Sequence, residues 1–100
     1  QDLLLSMSPV HFEQGEVLFE ELDDVQYVIF ITSGSVGIGY EMNKKQRYPV
    51  KMRAPAIVGG VECSYHMRSH YLYKAFSLLD GYFLTKLIWK KLFELHKEFH

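Results

Sequence analysis

The stretch from Val58 to His70 concentrates the groups of this sequence that could do chemistry. The adjacent Gly59 and Gly60 imply a tight turn or a close approach of backbone to a partner, since a residue without Cβ leaves that room free. Glu62, Cys63, His66 and His70 follow closely, and each is a competent metal ligand. Their spacing matches no paired Cys-x-x-Cys site, and the chain has no His-x-His pattern, so no metal is assigned. Cys63 and His66 form the only nearby Cys-His pair. A thiolate nucleophile needs a base held beside it in space and an oxyanion pocket, and the sequence gives no sign of either, so no catalytic residue is assigned.

These residues need a scaffold, and the first half of the chain supplies short β segments separated by turn signals. Val10 to Glu13 leads through Gln14-Gly15-Glu16 into Val17 to Glu21; Val25 to Thr32 runs into Ser33-Gly34-Ser35, and Val36 to Tyr40 follows. Their β-branched and aromatic content favours strands, expected as a series of hairpins. Asn43 to Arg47 reads as a solvated hairpin tip, and Tyr48 to Met52 as a strand with Pro49 near its start, as suits an edge. Pro55 breaks the chain before Ile57, and Val61 to Arg68 fits either a short helix or an irregular loop. Tyr71 to Leu79 reads as a strand, Asp80-Gly81 as a two-residue turn and Tyr82 to Leu87 as the returning partner. From Trp89 to His100 the period is helical, with Ile88, Leu92, Leu95 and Phe99 on one stripe and Trp89 and Phe93 beside it, first of all a packing face. The fold class expected is mainly β (α+β), an antiparallel, jelly-roll-like β-roll with short flanking helices.

Eleven basic against twelve acidic residues leave a formal charge of −1, which gives no electrostatic reason to expect nucleic acid or an acidic membrane as partner. Cys63 is the single cysteine and reads as a buried structural thiol in a reducing compartment such as the cytosol. With 100 residues, 48% of them hydrophobic, the chain is sized for one domain spanning 1–100 around one core. The missing initial Met and a last helix not closed by Gly or Pro suggest an excised piece of a longer protein. Leu3-Leu4-Leu5 is too short to span a membrane and lacks the basic flank of a signal peptide.

Three glycine turns stand in a definite order: Phe12-Glu13-Gln14-Gly15-Glu16, with an acidic sequel from Glu20 to Asp24; Tyr27 to Thr32 running into Ser33-Gly34-Ser35; and Val58-Gly59-Gly60. Together they resemble the cyclic-nucleotide-binding domains over nearly the whole chain, from about Ser8 to Phe99. The resemblance implies an eight-stranded β-roll and a phosphate cassette after the third turn. In that family a glutamate after the Phe-Gly pair holds the ribose hydroxyl, and a later Arg-Thr or Arg-Ser pair holds the cyclic phosphate. With Val58-Gly59 set on the family's Phe-Gly, Gly60 falls where the glutamate belongs, and Ser69 and His70 fall on the Arg-Thr positions. Arg68 lies one residue from the expected arginine and Glu62 two from the expected glutamate. Neighbours on an extended backbone point opposite ways, so the offset is not conservative. Loss of the guanidinium-phosphate pair costs on the order of 2 to 5 kcal/mol.

A degenerate cassette on a retained roll is similar to the homology domains of voltage-gated potassium channels, which lie on the cytoplasmic side of the membrane and in some cases fill the pocket with their own residues. The resemblance implies a non-enzymatic regulatory domain of an ion channel with weak or no nucleotide affinity and no cofactor. Its partners would be other domains and subunits of the parent channel, without direct membrane insertion of this piece. Tyr71 and Tyr73 are the candidates for a ring that plugs the pocket. The alternative is a cAMP- or cGMP-sensing domain in which Arg68 and Glu62 rebuild the grip. The family's closing lid helix is expected to be absent or shortened.

Overall fold

The computed structural model describes residues 7–99; Leu3-Leu4-Leu5, the Phe99 side chain and His100 lie outside the described residues. The chain runs β1 (Ser8–Phe12), β2 (Val17–Phe19), β3 (Tyr27–Ser33), β4 (Ser35–Met42), β5 (Lys45–Arg53), β6 (Ala56–Val58), α1 (Gly60–Tyr65), β7 (Leu72–Ala75), β8 (Leu79–Thr85) and α2 (Lys86–Phe99). Eight antiparallel strands form two four-stranded sheets, ordered β1-β8-β3-β6 and β2-β7-β4-β5. This is the β-roll with flanking helices that the pattern predicts.

The strands of the first half are not, however, a series of hairpins. β1 pairs with β8, β2 with β7, and β3 with β6 and β8, so sequence neighbours stand in opposite sheets. At Ser33-Gly34-Ser35 the chain changes sheet, and its corner is held by the Ser77 hydroxyl, which accepts from the Ser35 N–H at 3.0 Å. Among the described residues only β4 and β5 pair as consecutive strands. Their tip narrows to Asn43 and Lys44, at φ 54° and 63°, the two left-handed residues that a primed hairpin turn demands. Lys45 to Arg47 belong to β5, which is an edge strand, as Pro49 implies.

Asp80-Gly81 is likewise not a turn. β8 runs unbroken between β1 and β3, with Gly81 opposite Val10 on one side and Ile31 on the other. The glycine is there for space: a Cβ at Gly81 would stand 1.9 Å from the Phe30 carbonyl oxygen. The chain bends instead after Ala75, between β7 and β8, which lie in different sheets.

The core joins both sheets to the helices. Val28, Val36 and Cys63 are fully buried, with Phe19, Val25, Ile29, Ile31, Val58, Ala75 and Leu79 around them. β3 is buried on both faces, which explains its continuous apolar run Val28-Ile29-Phe30-Ile31. Val61 to Arg68 begins within helix α1, which is capped at His66, whose left-handed conformation (φ 55°) turns the chain so that the next N–H, of Met67, donates to the Glu62 carbonyl at 2.9 Å. α2 starts where the Lys86 N–H donates to the Gln26 carbonyl at 2.8 Å. Its Ile88, Trp89, Leu92 and Phe93 are half-buried, whereas Leu87 and Leu95 are 65% and 50% exposed, so the stripe packs only in part. No helix of the described residues is long and apolar enough to cross a membrane.

Candidate functional site

Sheet β2-β7-β4-β5 presents Ile38, Met52 and Tyr73 toward α1 and α2, and a cleft of about 610 Å³ lies between them. Its other walls are Ile57 to Glu62, Ser64, Tyr65, Trp89 and Phe93. That volume lies within the usual range of small-molecule sites, roughly 300–1,000 Å³.

Gly59 and Gly60 have separate reasons to be glycine. Gly59 has φ 91°, and a Cβ there would lie 2.7 Å from the Tyr27 carbonyl oxygen, so β6 can turn into α1 only with glycine. Gly60 is not left-handed; a Cβ there would stand 3.3 Å from Cζ2 of Trp89. Trp89 therefore lies over the position where the resemblance would stem a glutamate. Its indole N–H donates to the Ser64 hydroxyl at 2.8 Å, and that hydroxyl donates to the Gly60 carbonyl at 2.7 Å. One turn on, Phe93 meets Tyr65 edge-on at 5.6 Å, so α2 is tied down along one side of the cleft.

The residues singled out in the sequence separate into two groups. Gly59, Gly60, Glu62 and Tyr73 line the cleft; Arg68, Ser69, His70 and Tyr71 do not. The Arg68 backbone forms an isolated antiparallel β-bridge with that of Asp24, and the Arg68 Nη1 donates to the Leu22 carbonyl at 2.9 Å, on an exposed surface. Ser69 faces the opposite way and is fully buried, its hydroxyl donating to the Tyr71 carbonyl at 2.6 Å. Its N–H donates to the Asp23 carbonyl at 2.9 Å and its carbonyl accepts from the Leu22 N–H at 2.7 Å. His70 is exposed beside Tyr71, which is itself 50% exposed. Tyr73 is half-buried against Phe19, and burial, aided by the charge of Glu62, pushes its hydroxyl up to about 12.

The cleft is apolar and aromatic, and Glu62 is its one charged wall. Neither Arg68 nor any other cationic side chain among the described residues is part of it. Lys90, the residue after Trp89 on α2, is engaged with the His66 ring. Cys63 sits behind the cleft with its thiol directed at the Val25 carbonyl, 3.6 Å away, and burial pushes it up to about 11. His66 and His70 are thus turned to other partners, and no group of three or more His, Cys, Asp or Glu among the described residues is placed to hold a metal.

Sequence reasoning missed the walls contributed by Ile38, Met52, Trp89 and Phe93. The last two stand four apart on an amphipathic helix, a signal that a packing face carries equally well. Ile38 and Met52 gave no signal, because only strand pairing brings β4 and β5 beneath α1.

No protein-family model matches the chain, and no curated protein does. Solved structures are similar to it in fold. The regulatory domain of Toxoplasma gondii protein kinase A with cAMP superposes with TM-score 0.77 at 18% identity, over 84% of this chain and 32% of that one. The cGMP-bound form of an EAL enzyme gives TM-score 0.77 at 17% identity, over 84% and 22%. The regulatory subunit of a cAMP-independent protein kinase A from Trypanosoma brucei gives TM-score 0.72 at 17% identity, over 81% and 30%. The chain thus spans about a third or less of the length of these proteins. What two sheets, a helix after the third glycine turn and a terminal helix build together is the cyclic-nucleotide-binding fold.

Proposed function

We propose that this chain is a non-catalytic regulatory domain that keeps the cyclic-nucleotide-binding roll but lacks the means to grip a cyclic phosphate. The observation that carries the reading is the set of cleft walls, which includes one carboxylate and no cation, while Arg68 is spent on the Leu22 carbonyl. An anion brought into an apolar cleft without a cation to pair with loses much of its hydration uncompensated. The T. brucei relative in fold is itself described as cAMP-independent, which supports a roll retained without that dependence.

The setting we propose is the cytoplasmic side of a cation channel, where the domain relays gating or assembly signals to other domains and subunits of the same protein. This rests on the resemblance of the degenerate cassette to channel homology domains. Six membrane-spanning segments encoded upstream are the expected finding, and a kinase-inhibitor segment in their place would overturn it.

The direct test is calorimetric titration of the chain with cAMP and cGMP, where no heat of binding is expected at micromolar concentrations. Submicromolar affinity for either would establish the competing reading, a functional sensor in which Arg68 leaves Leu22 and joins Glu62 at the ligand.

A further inference from the structure

We propose that the cleft between α1, α2 and the β2-β7-β4-β5 sheet takes a small organic ammonium compound with an aromatic or alkyl body. The inference rests on the reading that no cyclic phosphate is held there, and it names what the same walls are suited to instead. Tyr65, Tyr73, Trp89 and Phe93 supply aromatic surface on several sides, and Ile38 and Met52 form the apolar floor. The polar end of Trp89 is already satisfied by Ser64, which leaves its ring as a π surface. Glu62 adds a carboxylate that makes no hydrogen bond or ion pair with any described residue. Glu62 is half-buried among the walls of the cleft.

An ammonium group is attracted by aromatic faces, most strongly by Trp, and more so when the site is partly desolvated. A carboxylate without a partner at the same site adds charge complementarity and sets which end of the ligand faces α1. The same two features repel an anion, so a single arrangement accounts for both preferences.

The test is a matched pair of ligands of opposite charge, phenethylammonium and 3-phenylpropionate, titrated calorimetrically into the chain at low salt, with cAMP and cGMP in the same series. The amine is expected to bind at least about tenfold more tightly than the acid. Glu62→Gln is expected to weaken the amine by about tenfold and leave the acid unchanged or improved. Equal binding of the two ligands, no binding of the amine at millimolar concentration, or an amine affinity indifferent to Glu62→Gln would each overturn the proposal. The ligand pair on the unaltered chain decides the matter even if the variant folds poorly. Tight cAMP binding would instead refute the reading beneath it, whereas silence from all four compounds removes this inference alone.

Discussion

Arg68→Ala separates a structural arginine from a ligand-binding one. Arg68 Nη1 donates to the Leu22 carbonyl at 2.9 Å, beside the backbone bonds that tie Ser69 to Leu22 and Asp23. A hydrogen bond from a charged donor contributes about 1.5–3 kcal/mol when sheltered. This one is exposed, so solvent screening reduces it to about 1 kcal/mol. For a domain of this size, such a loss lowers the melting midpoint by roughly 4–8 °C. The assay is thermal unfolding by circular dichroism of the parent, Arg68→Ala and Arg68→Lys, each with and without saturating cAMP. The expected result is that lower midpoint for Ala, partial recovery with Lys, and no effect of cAMP on any of the three. An arginine holding the phosphate would instead cost about 2–5 kcal/mol of binding, or roughly 30-fold and upward in affinity. An unchanged midpoint in Arg68→Ala, with a cAMP-induced rise in the parent that disappears in the variant, would refute the placement of this side chain.

Gly81→Ala forces backbone apart at the Phe30 carbonyl and should destabilise the fold by about 3 kcal/mol or more in urea unfolding; a loss below about 1 kcal/mol would show that β8 does not cross there. The exposed His11 is raised above 6.5 by its hydrogen bond to Asp80 and, less, by that to Glu13. A raised folded value stabilises fully below pH 6.5 and is lost as pH rises through that folded value. The melting midpoint of the parent minus that of Asp80→Asn should therefore fall over this window, and a flat difference would contradict it. Cys63, fully buried and held near 11, should react with a thiol reagent at neutral pH only as fast as the chain unfolds, and rapid labelling of the native state would show an open route to it.

The strands, the flanking helices and the third glycine turn were legible because each depends on local chemistry: β-branched runs, the left-handed demand at Gly59 and the period from Ile88 onward. Pairing was not legible. Nothing local tells Gly81 in a strand from Gly81 in a turn, because its reason is the Phe30 carbonyl, 51 positions away in sequence. The same holds for Val17–Phe19, whose partner is β7 rather than the next strand. Of the candidate site, Gly59 and Gly60 were singled out by residue type, and Glu62 and Tyr73 through the resemblance to the cyclic-nucleotide cassette. The facing walls Ile38, Met52 and Trp89 are ordinary apolar residues until the fold brings them together. The opposite orientations of Arg68 and Ser69 follow from the alternation of an extended segment, and alternation is visible in sequence once a register is assumed.

Strand β5 forms the free rim of its sheet. It carries Lys45, Arg47, Lys51 and Arg53, all exposed, and Pro49, which has no N–H to offer a newcomer. Two copies laid rim to rim would bring these like charges together, so the strand guards against edgewise aggregation.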